Sequence, residues 1–278
     1  MQNPLIAVSQ LVTLRQQRDV TLLDVRFGGP GSSGGQEHYL EGHIPGAVLV
    51  DMDTALASPS IGPGGRHPLP HPEAFEAAMR AAGVSNDRPV VVYDNWRSIA
   101  AARAWWLLQH HGHGDAFVLD GGLGAWQSAG LPVEQGNISP APGDFRLGNN
   151  PSSAVLDADG AAGLASAGVL LDARPGDRFR GVGETVDPVA GHIPGARSLP
   201  AFELANEHGF LLPVSELREK FEAVGAGEGR VGVYCGSGIQ AAHVALAAVV
   251  AGLPLPALYP GSWSDWITDP MRPVATGQ

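Results

Sequence analysis

Cys235 is the only cysteine of the 278-residue chain. It follows the apolar run Val231-Gly232-Val233-Tyr234 and opens the segment Cys235-Gly236-Ser237-Gly238-Ile239-Gln240-Ala241, after which the chain turns rich in Ala and Val. A buried strand, a glycine-bearing loop and a helix make the turn at which α/β proteins bind ligands, beyond the carboxyl end of a strand. Gly236 and Gly238 let the backbone curl tightly, so several N–H groups can face the sulfur. The helix start adds positive potential. Both effects favour an anion on Cys235, a thiolate able to act as a nucleophile. A cysteine can also be inert core filling, but such a turn is an unusual place for one.

The chain contains its own control for this site. Leu22-Leu23-Asp24-Val25-Arg26 recurs as Leu170-Leu171-Asp172-Ala173-Arg174. Gly42-His43-Ile44-Pro45-Gly46-Ala47 recurs unchanged from Gly191 to Ala196, and the Gly121 to Trp126 segment returns at Gly261 to Trp266. Segments in constant order, displaced by about 140 to 150 residues, indicate a duplicated domain and not a solenoid. The counterpart of Cys235 is Asp94, in a loop without glycine. A carboxylate cannot do thiolate chemistry, so the first copy is expected to be catalytically silent, with one site per chain.

The elements that position these residues read alike in both halves. Short apolar runs at 21–25, 47–51, 90–93 and 116–119, and again at 169–172, 196–199, 231–234 and 256–259, predict buried parallel strands. Helical patterns at 73–82, 99–109, 214–224 and 239–251 lie between them, with Pro72 and Pro213 at starts and Gly83 and Gly252 at ends. Alternation of this kind predicts an α/β protein with two tandem domains, each a parallel sheet flanked by helices on both faces. The expected boundaries are 1–136, a Pro/Gly/Ser/Asn-rich linker at 137–153, and 154–278.

Composition agrees with a folded chain: 44% hydrophobic, 16% charged, with 38 Gly and 23 Pro read as turn residues. A net charge of −11 without a Lys/Arg run argues against nucleic acid as a partner. The N-terminal residues lack a signal-peptide pattern. The most apolar stretch, 244–258, is broken by Gly252, Pro254 and Pro256 and is too short to span a bilayer. A lone cysteine fits a reducing cytoplasm.

On these residues the chain resembles the tandem rhodanese-type sulfurtransferases, a family that includes thiosulfate and 3-mercaptopyruvate sulfurtransferases. The marks are both Gly-His-Ile-Pro-Gly-Ala copies, Leu171-Asp172-Ala173-Arg174, Arg178-Phe179-Arg180-Gly181, the 235–241 loop and Tyr259-Pro260-Gly261-Ser262-Trp263. The resemblance implies a sulfur atom carried on Cys235 as a persulfide. It would come from 3-mercaptopyruvate or thiosulfate and pass to a thiol, cyanide or a thioredoxin-like protein, with no cofactor and no metal. It implies that Gly236, Gly238, Ile239 and Gln240 cradle the persulfide and that Arg178 binds the donor's anionic group. Cys-Gly-Ser-Gly, in place of the basic loop of thiosulfate-preferring members, resembles the mercaptopyruvate class. Ser237 would then relay a proton, supported across the domain interface by His43, with Glu37 or Glu41 as acidic partner. The class usually has a second arginine about nine residues after Arg178; here Asp187-Pro188-Val189 stands there.

Three other functions fit these residues less well. A cysteine phosphatase needs an arginine six residues after the cysteine, and that position is Ala241. A non-catalytic binding module would have lost the cysteine or its glycines. His110, His111 and His113 could hold a metal but read more simply as a polar helix end. The glycine-rich stretch 28–35 lacks Lys-Ser/Thr and reads as a loop, not a phosphate cradle.

Overall fold

The computed structural model describes residues 3–27, 35–60, 64–148, 153–227 and 229–278. In the first half β1 (Leu5–Ile6), β2 (Thr21–Asp24), β3 (Val48–Leu49), β4 (Val90–Tyr93) and β5 (Ala116–Leu119) form a parallel sheet of order β1-β5-β4-β2-β3. In the second, β6 (Val169–Asp172), β7 (Arg197–Ser198), β8 (Val231–Tyr234) and β9 (Ala257–Leu258) form a parallel sheet of order β7-β6-β8-β9. Thr-Leu-Leu-Asp and Val-Val-Val-Tyr are buried at every position, as strands covered on both faces must be. The central register repeats: Asp24 lies beside Tyr93, and Asp172 beside Tyr234. The runs expected at 47–51 and 196–199 pair for only two residues each, because β3 and β7 are edge strands with a neighbour on one side.

Two helices join the halves. Ile99–His110 follows β4, and Ile239–Val250 follows β8. Both are buried almost all round, because they pack side by side between the two sheets. One apolar cluster therefore runs through both domains, from Leu23, Trp105 and Trp106 to Leu171, Val233 and Leu246. Trp105 and Trp106 are fully buried, each stabilising the fold by about 1.5–3 kcal/mol. Smaller clusters cover the outer faces, one on Leu22, Tyr93 and Trp126, the other on Leu170, Tyr234 and Trp263.

The linker region does not hang free. Residues 137–148 lie along the first domain, where the Gly143 and Phe145 N–H groups donate to the Arg80 and Val84 carbonyls at 2.8 and 3.1 Å. The Phe145 ring is buried in the core; residues 149–152 lie outside the described residues. So do 28–34 of the glycine-rich stretch, while Gly35 opens the helix Gly35–Glu41. Among the described residues no helix is long and apolar enough to cross a membrane.

Candidate active site

Cys235 directly follows β8 and is 2% exposed. The N–H of Gly238, the N-cap of Ile239–Val250, donates to its sulfur at 3.0 Å. Gly238 has φ 83°, and a Cβ there would lie 2.5 Å from the Pro260 carbonyl oxygen, so both conformation and space require glycine. Ser262 touches the sulfur from the other side at 4.0 Å and accepts the Cys235 N–H at 3.1 Å. Ser262 holds φ 55° without being glycine, a strained backbone fixed by its bonds to Cys235 and Tyr259. Cys235, Gly236, Ser237, Ile239 and Gln240 line a cavity of about 130 Å³ with Phe27, Arg66, Trp96, Arg178 and Val186. A larger cavity, about 290 Å³ between Leu156, Phe221 and Leu255, contains no nucleophile.

The histidine that reaches Ser237 is His67, not His43. His67 Nδ1 lies 2.8 Å from Ser237 Oγ, and its Nε2 lies 3.3 Å from Asp53 Oδ1. Asp51 caps the short helix Met52–Ala55 and thereby sets Asp53 in its first turn. The His67 loop is pinned to the second domain: the Gly64 N–H donates to Asp265 at 2.8 Å and the Arg66 N–H to Ser264 Oγ at 3.1 Å. A Cβ on Gly65 would lie 2.3 Å from the Gly261 carbonyl oxygen, which makes that contact possible only for glycine. Burial pushes the His67 imidazole below its ordinary range, against the pull of Asp53, so it is neutral near pH 7. A neutral ring with Nε2–H toward Asp53 leaves Nδ1 free to accept the Ser237 proton.

His43 is correspondingly reassigned. It is fully buried, stacks on Tyr39 with ring centroids 4.1 Å apart, and places Nδ1 2.9 Å from the Tyr39 carbonyl. Its twin His192 stacks on Phe179 at 3.7 Å and places Nδ1 2.7 Å from the Phe179 carbonyl. Each backbone bridges to a later segment, Glu134 or Ala275. The duplicated motif thus fixes a chain crossing in each domain and reaches no part of the cavity. Glu41 bonds His38 instead. The signal in the sequence was duplication itself: a histidine present in both copies serves both copies, whereas the position matching His67 before the second Leu-Pro step, 212–213, is Phe210.

Arg178 lies on the cavity wall. Arg66, from the first domain, joins it there, a residue that sequence reasoning passed over. Arg103 is a third cation, fully buried in Ile99–His110. It donates to the carbonyls of Leu56, His67, Pro68 and Gly238 and to no carboxylate among the described residues. Burial pulls its pKa down to about 10, and negative charge on Cys235 supports its charged form. His110 and His111 stack on Trp106 and Phe75, and His113 bonds the Ser85 carbonyl at 3.2 Å, so all three are packed into the core. Among the described residues no group of three or more metal-ligating side chains converges.

The chain is also similar to known proteins along most of its length. Residues 7–129 and 157–269 each match the rhodanese-like domain family. A Pseudomonas aeruginosa protein named "Probable 3-mercaptopyruvate sulfurtransferase" is 44% identical over 283 residues, covering 98% of both chains. The thiosulfate sulfurtransferase of Bos taurus is 34% identical over 255 residues, 88% of this chain and 84% of that one. The crystal structure of SseA from Escherichia coli, titled as a 3-mercaptopyruvate sulfotransferase of the "Rhodanese" fold, superposes with a TM-score of 0.83 at 34% identity. It covers 94% of this chain and 99% of that one. Two matched domains, a full-length relative and one thiol at the loop place the chain in the family of two-domain, rhodanese-like sulfurtransferases.

Proposed function

We propose that the chain transfers sulfur from 3-mercaptopyruvate, through a persulfide on Cys235, to a small thiol, cyanide or a reduced thioredoxin-like protein. The observation that carries the choice of donor is the Ser237–His67–Asp53 chain beside the nucleophile. In the first half-reaction the Cys235 thiolate attacks the donor's sulfur. An S–S bond forms, the donor's C–S bond breaks, and its electron pair leaves as pyruvate enolate. The enolate needs a proton at carbon, and Ser237, hydrogen-bonded to neutral His67, can relay the one released from the donor's thiol. The second half-reaction returns the enzyme: an acceptor thiolate or cyanide attacks the outer sulfur and Cys235 leaves as thiolate.

Arg178 binds the donor's carboxylate in this reading, and Gly236, Gly238, Ile239 and Gln240 shape the cradle around the outer sulfur. Domain 154–278 carries the nucleophile, domain 1–136 supplies His67 and Asp53, and 137–153 connects them. The chemistry suits the cytoplasm, where acceptor thiols stay reduced. Thiosulfate is the second reading, favoured by the two guanidinium groups on the cavity wall and by the name of the bovine relative. Intact mass after incubation with each donor tests the proposal. A gain of about 32 Da, absent in Cys235→Ser and reversed by an acceptor thiol, supports it. No gain with either donor refutes it.

A further inference from the structure

The cavity's charged wall is built across the domain interface. Arg66 belongs to the first domain and Arg178 to the second, yet both flank Gly236. A Cβ on Gly236 would lie 3.0 Å from Arg66 Nη2 and 3.6 Å from Arg178 Nη1. Behind them a single carboxylate holds the pair: Asp187, whose side chain is fully buried, accepts from Arg66 Nη1 through Oδ1 and from Arg178 Nη2 at 2.6 Å through Oδ2. Arg178 Nε is taken by Glu184, at 2.9 and 3.1 Å. The nitrogens nearest Gly236, Arg66 Nη2 and Arg178 Nη1, make no hydrogen bond among the described residues, and Arg66 Nε is buried without a partner. Two guanidinium groups thus present free donors to the nucleophile's loop, while their other donors are fastened from behind.

The charge of this wall is balanced. Arg66 and Arg178 carry two positive charges, and Asp187 and Glu184 carry two negative ones. Burial opposes ionisation of Glu184, but hydrogen bonds from Arg178 and from the Val186 and Asp187 N–H groups hold its carboxyl below the usual range. Behind Glu184, Arg174 at 4.0 Å and Asp172 continue the alternation. A balanced wall with directed free donors can bind one carboxylate by hydrogen bonds, but it gains little from a second negative charge on the ligand.

We propose that Arg66 is the second donor-binding cation of the site, and that Asp187 positions the Arg66–Arg178 pair and tunes it toward singly charged donors such as mercaptopyruvate over the thiosulfate dianion. The donor's carboxylate lies between Arg66 Nη2 and Arg178 Nη1, above Gly236. Asp187 is a positioning residue, since it touches the guanidinium groups and not the donor. The selectivity deepens the proposed sulfurtransferase reading and rests on it; the anion site does not.

Two measurements separate them. Cys235 is the sole thiol, so its alkylation by iodoacetate, an anion, relative to neutral iodoacetamide, read by intact mass, reports the anion site without any sulfur transfer. Arg66→Ala and Arg178→Ala should each lower that ratio about tenfold, and Arg66→Lys should recover most of it. In steady-state kinetics Arg66→Ala should raise KM for mercaptopyruvate about tenfold with kcat nearly kept. Asp187→Asn should raise the thiosulfate-to-mercaptopyruvate ratio of kcat/KM about tenfold. If Arg66→Ala leaves the alkylation ratio within about twofold of wild type, the role of Arg66 is overturned. If Asp187→Asn leaves the donor ratio unchanged or lower, the tuning is overturned. A wild type that takes sulfur from neither donor overturns the tuning together with the sulfurtransferase reading, while the alkylation ratio still decides the anion site.

Discussion

At the end of β4 the chain turns into Ile99–His110 around a carboxylate; at the end of β8 it turns into Ile239–Val250 around a thiol. The two turns share a cradle. Asp94 accepts N–H groups from Trp96, Ser98 and Ala101 at 2.8–2.9 Å. Ser98 is the N-cap of its helix, with φ 62°, and stands where Gly238 stands in the other loop. The N-cap N–H therefore points at residue 94 in one domain and at the Cys235 sulfur in the other. A carboxylate reaches beyond its Cβ about as far as a persulfide does, so the Asp94 turn shows what such a cradle holds when filled. The Cys235 loop is one residue shorter between strand and helix.

The loops that cross the interface differ more than the cradles do. Segment 64–68 brings Arg66 and His67 to Cys235. In the reverse direction, segment 206–211 brings Gly209 and Phe210 to the Asp94 loop, where the Leu211 N–H donates to Asp120 at 3.0 Å. The helix positions facing each cradle diverge too: Arg103 in one helix, His243 in the other. The duplicated frame gives each domain an anion-holding turn. Only the turn around Cys235 receives Arg66 and His67 from the neighbouring domain.

The comparison can be broken first at the N-caps. Gly238→Ala forces a side chain at φ 83° into the Pro260 carbonyl. It should cost more than about 2 kcal/mol in urea unfolding and stop the sulfur mass gain. Ser98→Gly should instead stabilise the fold slightly, by up to about 1 kcal/mol, because it removes the penalty of a non-glycine residue in the left-handed region. Equal losses at both positions would contradict the shared geometry.

Exchange of the histidines is the next largest effect. His67→Gln should lower kcat with mercaptopyruvate about a hundredfold and change thiosulfate turnover far less, because sulfite leaves without needing a proton at carbon. His43→Gln should lower the unfolding free energy by about 1–2 kcal/mol with kcat nearly kept. The reverse pattern in parallel kinetics and melts would restore His43 to the site.

The smallest effect tests the buried helix. Burial pushes His243 down to about 4. The unfolded chain, with an ordinary imidazole, takes up a proton first, so this contribution to stability is full above about pH 6.5 and is lost as pH falls toward the folded value. Tm should drop between about pH 7.5 and about pH 5, and His243→Leu should shrink the drop by about 4 °C. An unchanged drop would place the acid sensitivity elsewhere.

Much of this frame is legible in the residues. Val90–Tyr93 and Val231–Tyr234 are apolar throughout and bounded by turns, so the central strands emerge whole. β1 is two residues long and the helix Val8–Gln17 buries only Leu11, so neither leaves a periodic trace. Cys235 stands out because its loop breaks the symmetry of the repeat. His67 does not, because its partner Ser237 lies 170 residues away in the other domain and only folding brings them together. Asp187-Pro188-Val189 stands where the class usually has a second arginine after Arg178, and Arg66 reaches the same cavity wall from the first domain. No local spacing encodes that substitution.

The common apolar cluster has a consequence for the history of the duplication. Ile99–His110 and Ile239–Val250 cover one another, so a severed C-terminal half would expose an oily flank and lose His67, Arg66 and Arg103 at a stroke. The copy with a carboxylate in place of the thiol thereby supplies part of the other copy's packing and part of its cavity wall. A polypeptide cut back to residues 154–278 would lack both the apolar cover of Ile99–His110 and the side chains that this helix and segment 64–68 lend to the Cys235 loop.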